Sequence, residues 1–172
     1  MTIASYMKKS AIISSCKQYR YKLSRTWDEG KGKALFIMLN PSTADAENDD
    51  LTTRRCINIA KKWGYGGIMI GNIYPFRAKR PKDLNKWVAD GDDFEFWQML
   101  NEEAVEEMAQ QADIIVCAWG CNHPGIPEWV DNLGDLFYLE LCKDNITPKH
   151  PLGNLSKDLI PTNYKLNTII FG

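Results

Sequence analysis

The chain has 172 residues, of which 44% are hydrophobic and 25% charged, with a formal net charge of -1. That length makes one domain with a sizeable core, and the composition is that of a globular protein. No apolar stretch approaches the ~20 residues a membrane span needs, and the charge balance excludes the broad basic footprint of a non-specific nucleic-acid binder.

Met1 to Ser15 carries two lysines and then Ala11-Ile12-Ile13, too short for the apolar core of a secretion signal. The expected location is cytoplasmic. Five cysteines, an odd number at irregular spacing, do not form a secreted disulfide framework, so reduced thiols are expected.

Tyr19 to Leu23 alternates in polarity and reads as an edge strand. After the turn at Asp28 to Gly32 comes Ala34 to Leu39, a continuous apolar run expected of a strand buried on both faces. A polar loop, Asn40 to Asp50, leads into a helix from about Thr52 to Trp63, with Cys56, Ile59, Ala60 and Trp63 on one face and Gly64 as its stop. Ile68-Met69-Ile70 is the second buried strand and runs into Gly71-Asn72.

Pro75 and Pro81 bracket an irregular basic loop holding Arg77, Lys79 and Arg80, readable either as a local basic face or as a solvated loop. A long helix is predicted to run to about Gln111, capped by Asp92 or Asp93, with Trp97, Leu100, Ala104 and Met108 as its buried stripe. Ile114 to Ala118 is the third strand, Pro127 suits the first turn of a further helix through Leu133, and Phe137 to Leu141 reads as a fourth strand. The tail from Ile160 carries no clear pattern. The expectation is a single three-layer α/β/α domain, residues 1–172, with a mostly parallel, roughly four-stranded sheet.

In such a sheet the carboxyl ends of the strands form the ligand crevice. Asn40-Pro41-Ser42 and Asn72 follow the first two buried strands, Trp119-Gly120 the third, and His150-Pro151-Leu152 the fourth. These segments are expected to converge.

Ala34 to Cys56 (ALFIMLNPSTADAENDDLTTRRC), Trp63-Gly64-Tyr65-Gly66-Gly67, Asn72 with Phe76-Arg77-Ala78, Ala118-Trp119-Gly120 and His150-Pro151-Leu152 resemble the domain-of-unknown-function 1643 family, over about residues 19–161. That family carries no activity to transfer. The same order also resembles, more distantly, the uracil-DNA glycosylase superfamily: Met38 to Ser42 is similar to its Gly-(Ile/Met)-Asn-Pro-Gly segment, Asn72 to its base-reading Asn, Tyr74 to Arg77 to its Pro/Arg-rich loop, Trp119-Gly120 to its Trp-Gly, and His150-Pro151-Leu152 to its His-Pro-Ser.

That resemblance implies recognition of a nucleobase or nucleotide, with N-glycosidase chemistry as its specific form and no cofactor. Asn40 would orient a water, His150 would donate to the departing base, and Asn72 would offer a donor and an acceptor to a base edge. Pro41, Ser42 and Trp119 would shape the site. Apart from the resemblance, Arg54 and Arg55 lie in the first turn of the predicted helix, a place suited to binding phosphate. The partner expected is a nucleobase-containing small molecule or a nucleic acid, DNA included, and not a membrane.

Each residue also has a plainer reading. Asn40-Pro41-Ser42 is turn chemistry, Asn72 satisfies a strand end, His150 is a loop histidine, and Arg54 and Arg55 pair with Asp49 and Asp50. Two other functional classes stay open: a base- or nucleotide-binding module without turnover, and a Mg²⁺-dependent phosphoryl-transfer enzyme or hydrolase built on Asp49, Asp50 and Arg54. A zinc site on Cys117, Cys121 and His123 lacks a fourth ligand. The departures from the glycosylase pattern are Ser42-Thr43 in place of glycine and Leu152 in place of serine, with Leu155 as a candidate wedge.

Overall fold

The computed structural model describes residues 6–165. Seven strands form one sheet: β1 (Lys8–Ile13), β2 (Arg20–Thr26), β3 (Lys33–Met38), β4 (Gly67–Asn72), β5 (Ile114–Cys117), β6 (Leu136–Tyr138) and β7 (Thr162–Tyr164). Their spatial order is β1-β2-β4-β3-β5-β6-β7. The run β4-β3-β5-β6 is parallel. β2 joins β4 antiparallel, β1 joins β2 antiparallel, and β7 joins β6 antiparallel.

The α/β expectation holds, but the sheet is larger and mixed. The four parallel strands are the ones expected from the apolar runs, with antiparallel strands added on both sides. Tyr19 to Leu23 is therefore not an edge: β1 covers it, built from the Ala11-Ile12-Ile13 stretch. β7 falls in the tail that carries no clear pattern, and residues 166–172 of that tail lie outside the described residues.

Side chains of β3 alternate between two cores. Leu35 and Ile37 join one apolar cluster, while Ala34, Phe36 and Met38 join the other. Helix α1 (Leu51–Lys62) covers the second face through Cys56, Ile57, Ile59 and Ala60. Helices α2 (Pro81–Asp90) and α3 (Phe94–Gln111) cover the first, together with a 3-10 helix over Glu128–Leu133. Leu35, Phe36 and Ile37 are wholly buried, each such side chain contributing about 1.5–3 kcal/mol from burial.

α1 starts where Asp50 accepts a hydrogen bond from the Thr53 backbone N–H at 2.7 Å, and Gly64 follows its end at φ +85°. α2 was not foreseen. Its sequence PKDLNKWVAD is mostly polar, and only Leu84 and Trp87 are buried. In α3 the buried residues are Asn101, Val105, Met108 and Ala109, with Trp97, Leu100 and Ala104 partly buried beside them. Asp93 occupies the N-cap position in a left-handed conformation, but its side chain caps nothing. The helix at Pro127 is 3-10, with Pro127 just before it.

The expectation of reduced thiols is corrected at one pair: Cys121 and Cys142 are bonded, with Cα atoms 5.9 Å apart. Twenty-one residues separate them, and only the parallel docking of β6 on β5 brings their following loops together. Cys16, Cys56 and Cys117 are free. No described helix is long and apolar enough to cross a membrane.

Candidate functional site

The register of the parallel strands sets the site. Met38 lies opposite Asn72, and the pairing continues as the Ile73 N–H donates to Met38 O at 2.8 Å and the Tyr74 N–H to Leu39 O at 2.9 Å. Asn40 and Asn72 thus leave adjacent strands at the same level. α3 approaches closely there because Gly71 has no side chain: a Cβ would meet Val105 and Met108 at 3.0–3.1 Å. From α3, fully buried Asn101 donates to Asn72 O at 2.8 Å and holds the strand end.

Arg20, Asn40, Ser42, Asp50, Asn72 and His150 line one cavity of about 50 Å³. The three residues expected to share the chemistry, Asn40, Asn72 and His150, come together. Asn40 Nδ2 is committed to backbone carbonyls of the basic loop, Ala78 O at 3.2 Å and Phe76 O at 3.4 Å. Its Oδ1 has no partner among the described residues.

His150 Nδ1 accepts the Leu152 N–H at 3.1 Å. In the neutral ring this puts the proton on Nε2, the free nitrogen. Burial holds the His150 pKa below its ordinary value, and the Asp50 charge offsets part of that. The His150 loop is pressed into place by Gly120, at φ +89°, whose N–H donates to Pro148 O at 3.0 Å. A Cβ there would come within 3.4 Å of His150 Cβ.

The sequence reading pairs Asp50 with Arg54 and Arg55 or places it in a Mg²⁺ site, not in this cavity. The Ser42 hydroxyl donates to Asp50 Oδ2 and the Thr53 N–H to Oδ1. Burial pushes the Asp50 carboxyl up, but these hydrogen bonds outweigh it and keep it below the usual carboxylate range. The cavity therefore has an ionised acid.

Arg20 was missed. Read as the start of an edge strand, it belonged to a solvated face. Because β2 runs antiparallel to β4, its first residue lies at the carboxyl end of the parallel strands. Arg20 is 3% exposed and donates to Ala44 O at 2.9 Å and Asn72 Oδ1 at 3.4 Å. The loop after β3, through Ala44 O, and Asn72 cover the polar face of β2 there, which alternation alone does not reveal.

Other candidates fall elsewhere. Trp119 is 3% exposed in the apolar core, edge-on to Tyr164, and does not line the cavity. Pro41 is buried beside it without lining it. Arg54 is exposed, its guanidinium donating to Asp49 O at 3.1 Å. Arg55 lines a separate cavity of about 300 Å³ with Lys157 and Asp158. Leu155 packs in part against the α1-side core.

The proposed Mg²⁺ set is likewise dispersed. Asp49 binds fully buried Arg25 at 2.7 Å, Asp50 caps α1, and Asp45 accepts the Glu47 and Asn48 N–H groups. Among the described residues no group of three His, Cys, Asp or Glu side chains is placed to hold a metal, and Cys121 of the zinc reading is in the disulfide.

Asn40 also lines a larger cavity, about 470 Å³, at the start of α2 with Lys79, Arg80, Asn85, Asn122 and His123. Here the basic loop is partly neutralised, since Arg80 makes a two-point pair with Asp83 at 2.9 and 3.0 Å.

The family described as "Protein of unknown function (DUF1643)" matches residues 20–152. The chain belongs to this family. The match spans β2 to the His150 loop, so Arg20, Asn40, Ser42, Asp50, Asn72 and His150 all fall within it. Neither the curated proteins nor the solved structures yield a match.

Proposed function

We propose that this crevice binds a nucleobase, free or within a nucleotide or nucleic acid, and hydrolyses its N-glycosidic bond. The observation that carries this is the convergence of Asn40, Asn72 and His150, from three distant segments, on one cavity.

In the reaction the C1′–N bond breaks and its electron pair leaves with the base. Neutral His150 donates Nε2–H to an oxo group of that base, stabilising charge where it develops. Asn40 Oδ1 accepts from a water and aims it at C1′; an amide is too weak a base to take the proton. That proton passes to bulk water as the C1′–O bond forms, and the Asp50 carboxylate favours the cationic sugar through its charge. Asn72 reads the base edge. A base within a duplex would first be flipped out.

The cavity of about 50 Å³ admits the edge of a ring, not a nucleoside, so the sugar lies on the Asn40 side, toward the larger cavity. The glycosylase-superfamily likeness of the fold belongs to this proposal and rests on the motif order alone. The same small volume favours one rival, a module that binds the base edge without turnover. Incubating the protein with uracil-, hypoxanthine- and other modified-base oligonucleotides and with free nucleosides, and measuring released base by chromatography, separates the two. Released base that disappears in Asn40→Ala and His150→Ala supports hydrolysis. Binding by calorimetry with no released base supports the module.

A further inference from the structure

We propose that Arg20 and Asn72 form a buried clamp for an oxygen acceptor that carries full or developing negative charge. Arg20 is a cation removed from water with no carboxylate in ion-pair contact among the described residues. The charge that favours it is Asp50, and Arg77 and Arg25 oppose it. Burial pushes its pKa down to about 10. A buried charge left unpaired is costly, and proteins keep buried charges paired.

Contrast Arg25, on the same strand. It is equally buried, but its guanidinium reaches Asp49 at 2.7 Å, Asp45 O at 2.6 Å and Ser24 O at 2.8 Å. Among the described residues Arg20 has only two acceptors, the second at 3.4 Å, and its Nε–H is buried without one. Asn72, 2% exposed, also has its Nδ2 donor buried and unpartnered. The contact from Arg20 fixes which end of the Asn72 amide is oxygen, so the free end is the donor. Both residues line the same cavity as His150, whose free nitrogen is a third donor.

These three donors share the space with the Asp50 carboxylate, whose oxygens are taken by Ser42 and Thr53, and so remain open to a ligand edge rich in acceptors. Two chemical sources meet that demand: the oxo edge of a nucleobase and a phosphate oxygen. The first rests on the nucleobase reading above; the clamp itself does not. On an oxo base, Arg20 would share with His150 the charge of the departing electron pair.

The test uses the full chain and two substitutions. Arg20→Gln removes the cation, and because that change also touches the Ala44 contact, Asn72→Asp carries the decision. It keeps the side-chain size, replaces the free donor with an acceptor, and gives the guanidinium a carboxylate. The expected result is a melting temperature about 4 °C or more above wild type. Binding of the probe that wild type accepts should fall at least tenfold in both variants. Titrations with uracil, hypoxanthine, adenine and inorganic phosphate supply the probes. Preference for uracil or hypoxanthine over adenine supports the clamp on an oxo base. Phosphate binding alone keeps the clamp and removes the nucleobase reading. No binding of any probe, unaltered binding in Asn72→Asp, or an unchanged or lower melting temperature in that variant overturns the clamp.

Discussion

Reducing the Cys121–Cys142 bond tests how the His150 loop is held. The bond joins the loop after β5 to the one after β6 and closes 21 residues of chain. In the loop-entropy treatment, a loop of that length gives a denatured-state penalty of about 3 kcal/mol. For a domain of this size that corresponds to a melting-temperature drop of roughly 7–13 °C on reduction. The effect should also reach the crevice. Cys121 follows Gly120, which bonds Pro148 O, and the Lys149 N–H donates to Glu140 O at 2.8 Å, two residues before Cys142. Opening the bond loosens both ends of the frame around His150, so its depressed pKa should move back toward 6.5. Thermal melts of the oxidised protein, the reduced protein and a Cys121→Ser/Cys142→Ser variant measure the first effect, and an NMR titration of the His150 ring measures the second. A reduced protein melting within 2 °C of the oxidised one would refute the reasoning.

Asn40→Ala and His150→Ala should each lower base release by about 10²–10³, since losing one preorganised polar contact to the developing charge costs about that much; single-turnover assays check this. Gly120→Ala should destabilise by about 1–2 kcal/mol because its φ of +89° disfavours any side chain, and urea denaturation measures it. His123 and His150 both have pKa values lowered chiefly by burial. The unfolded chain therefore binds more protons below about pH 6.5, and stability should fall as pH drops from 6.5 toward the folded pKa values. Melts from pH 7.5 to 5 should show that loss shrink when both histidines are replaced by Gln.

The parallel centre of the fold was legible because β3, β4 and β5 are buried on both faces and leave unbroken apolar runs. The pairing of Asn40 with Asn72 followed, since adjacent parallel strands end together. What the sequence hid lies where burial is shared with another element. β1 and β2 alternate, and alternation cannot say what covers the polar face, so Arg20 looked solvated. α2 buries only Leu84 and Trp87, too few to stand out among lysines and aspartates. In α3, apolar residues occur around the whole circumference, so the stripe was phased toward Trp97 and Leu100 while Asn101 and Val105 face the sheet. Trp119 was assigned to the crevice from its motif, yet a large ring one residue beyond a central strand is drawn into the core. Cys121 and Cys142 gave no spacing signal, because their meeting depends on two strands docking.

The reversed direction of β2 has a thermodynamic consequence. By delivering Arg20 to the rim, it makes the cavity a junction of residues 20, 40, 42, 50, 72 and 150. A ligand held there has no affinity for any state in which one of these segments has come away. Its binding free energy is then added to the cooperative opening of the whole sheet, as RT ln(1 + [L]/Kd). Amide hydrogen exchange slowed in β2, β4 and the 142–150 loop together would be the signature of such a keystone.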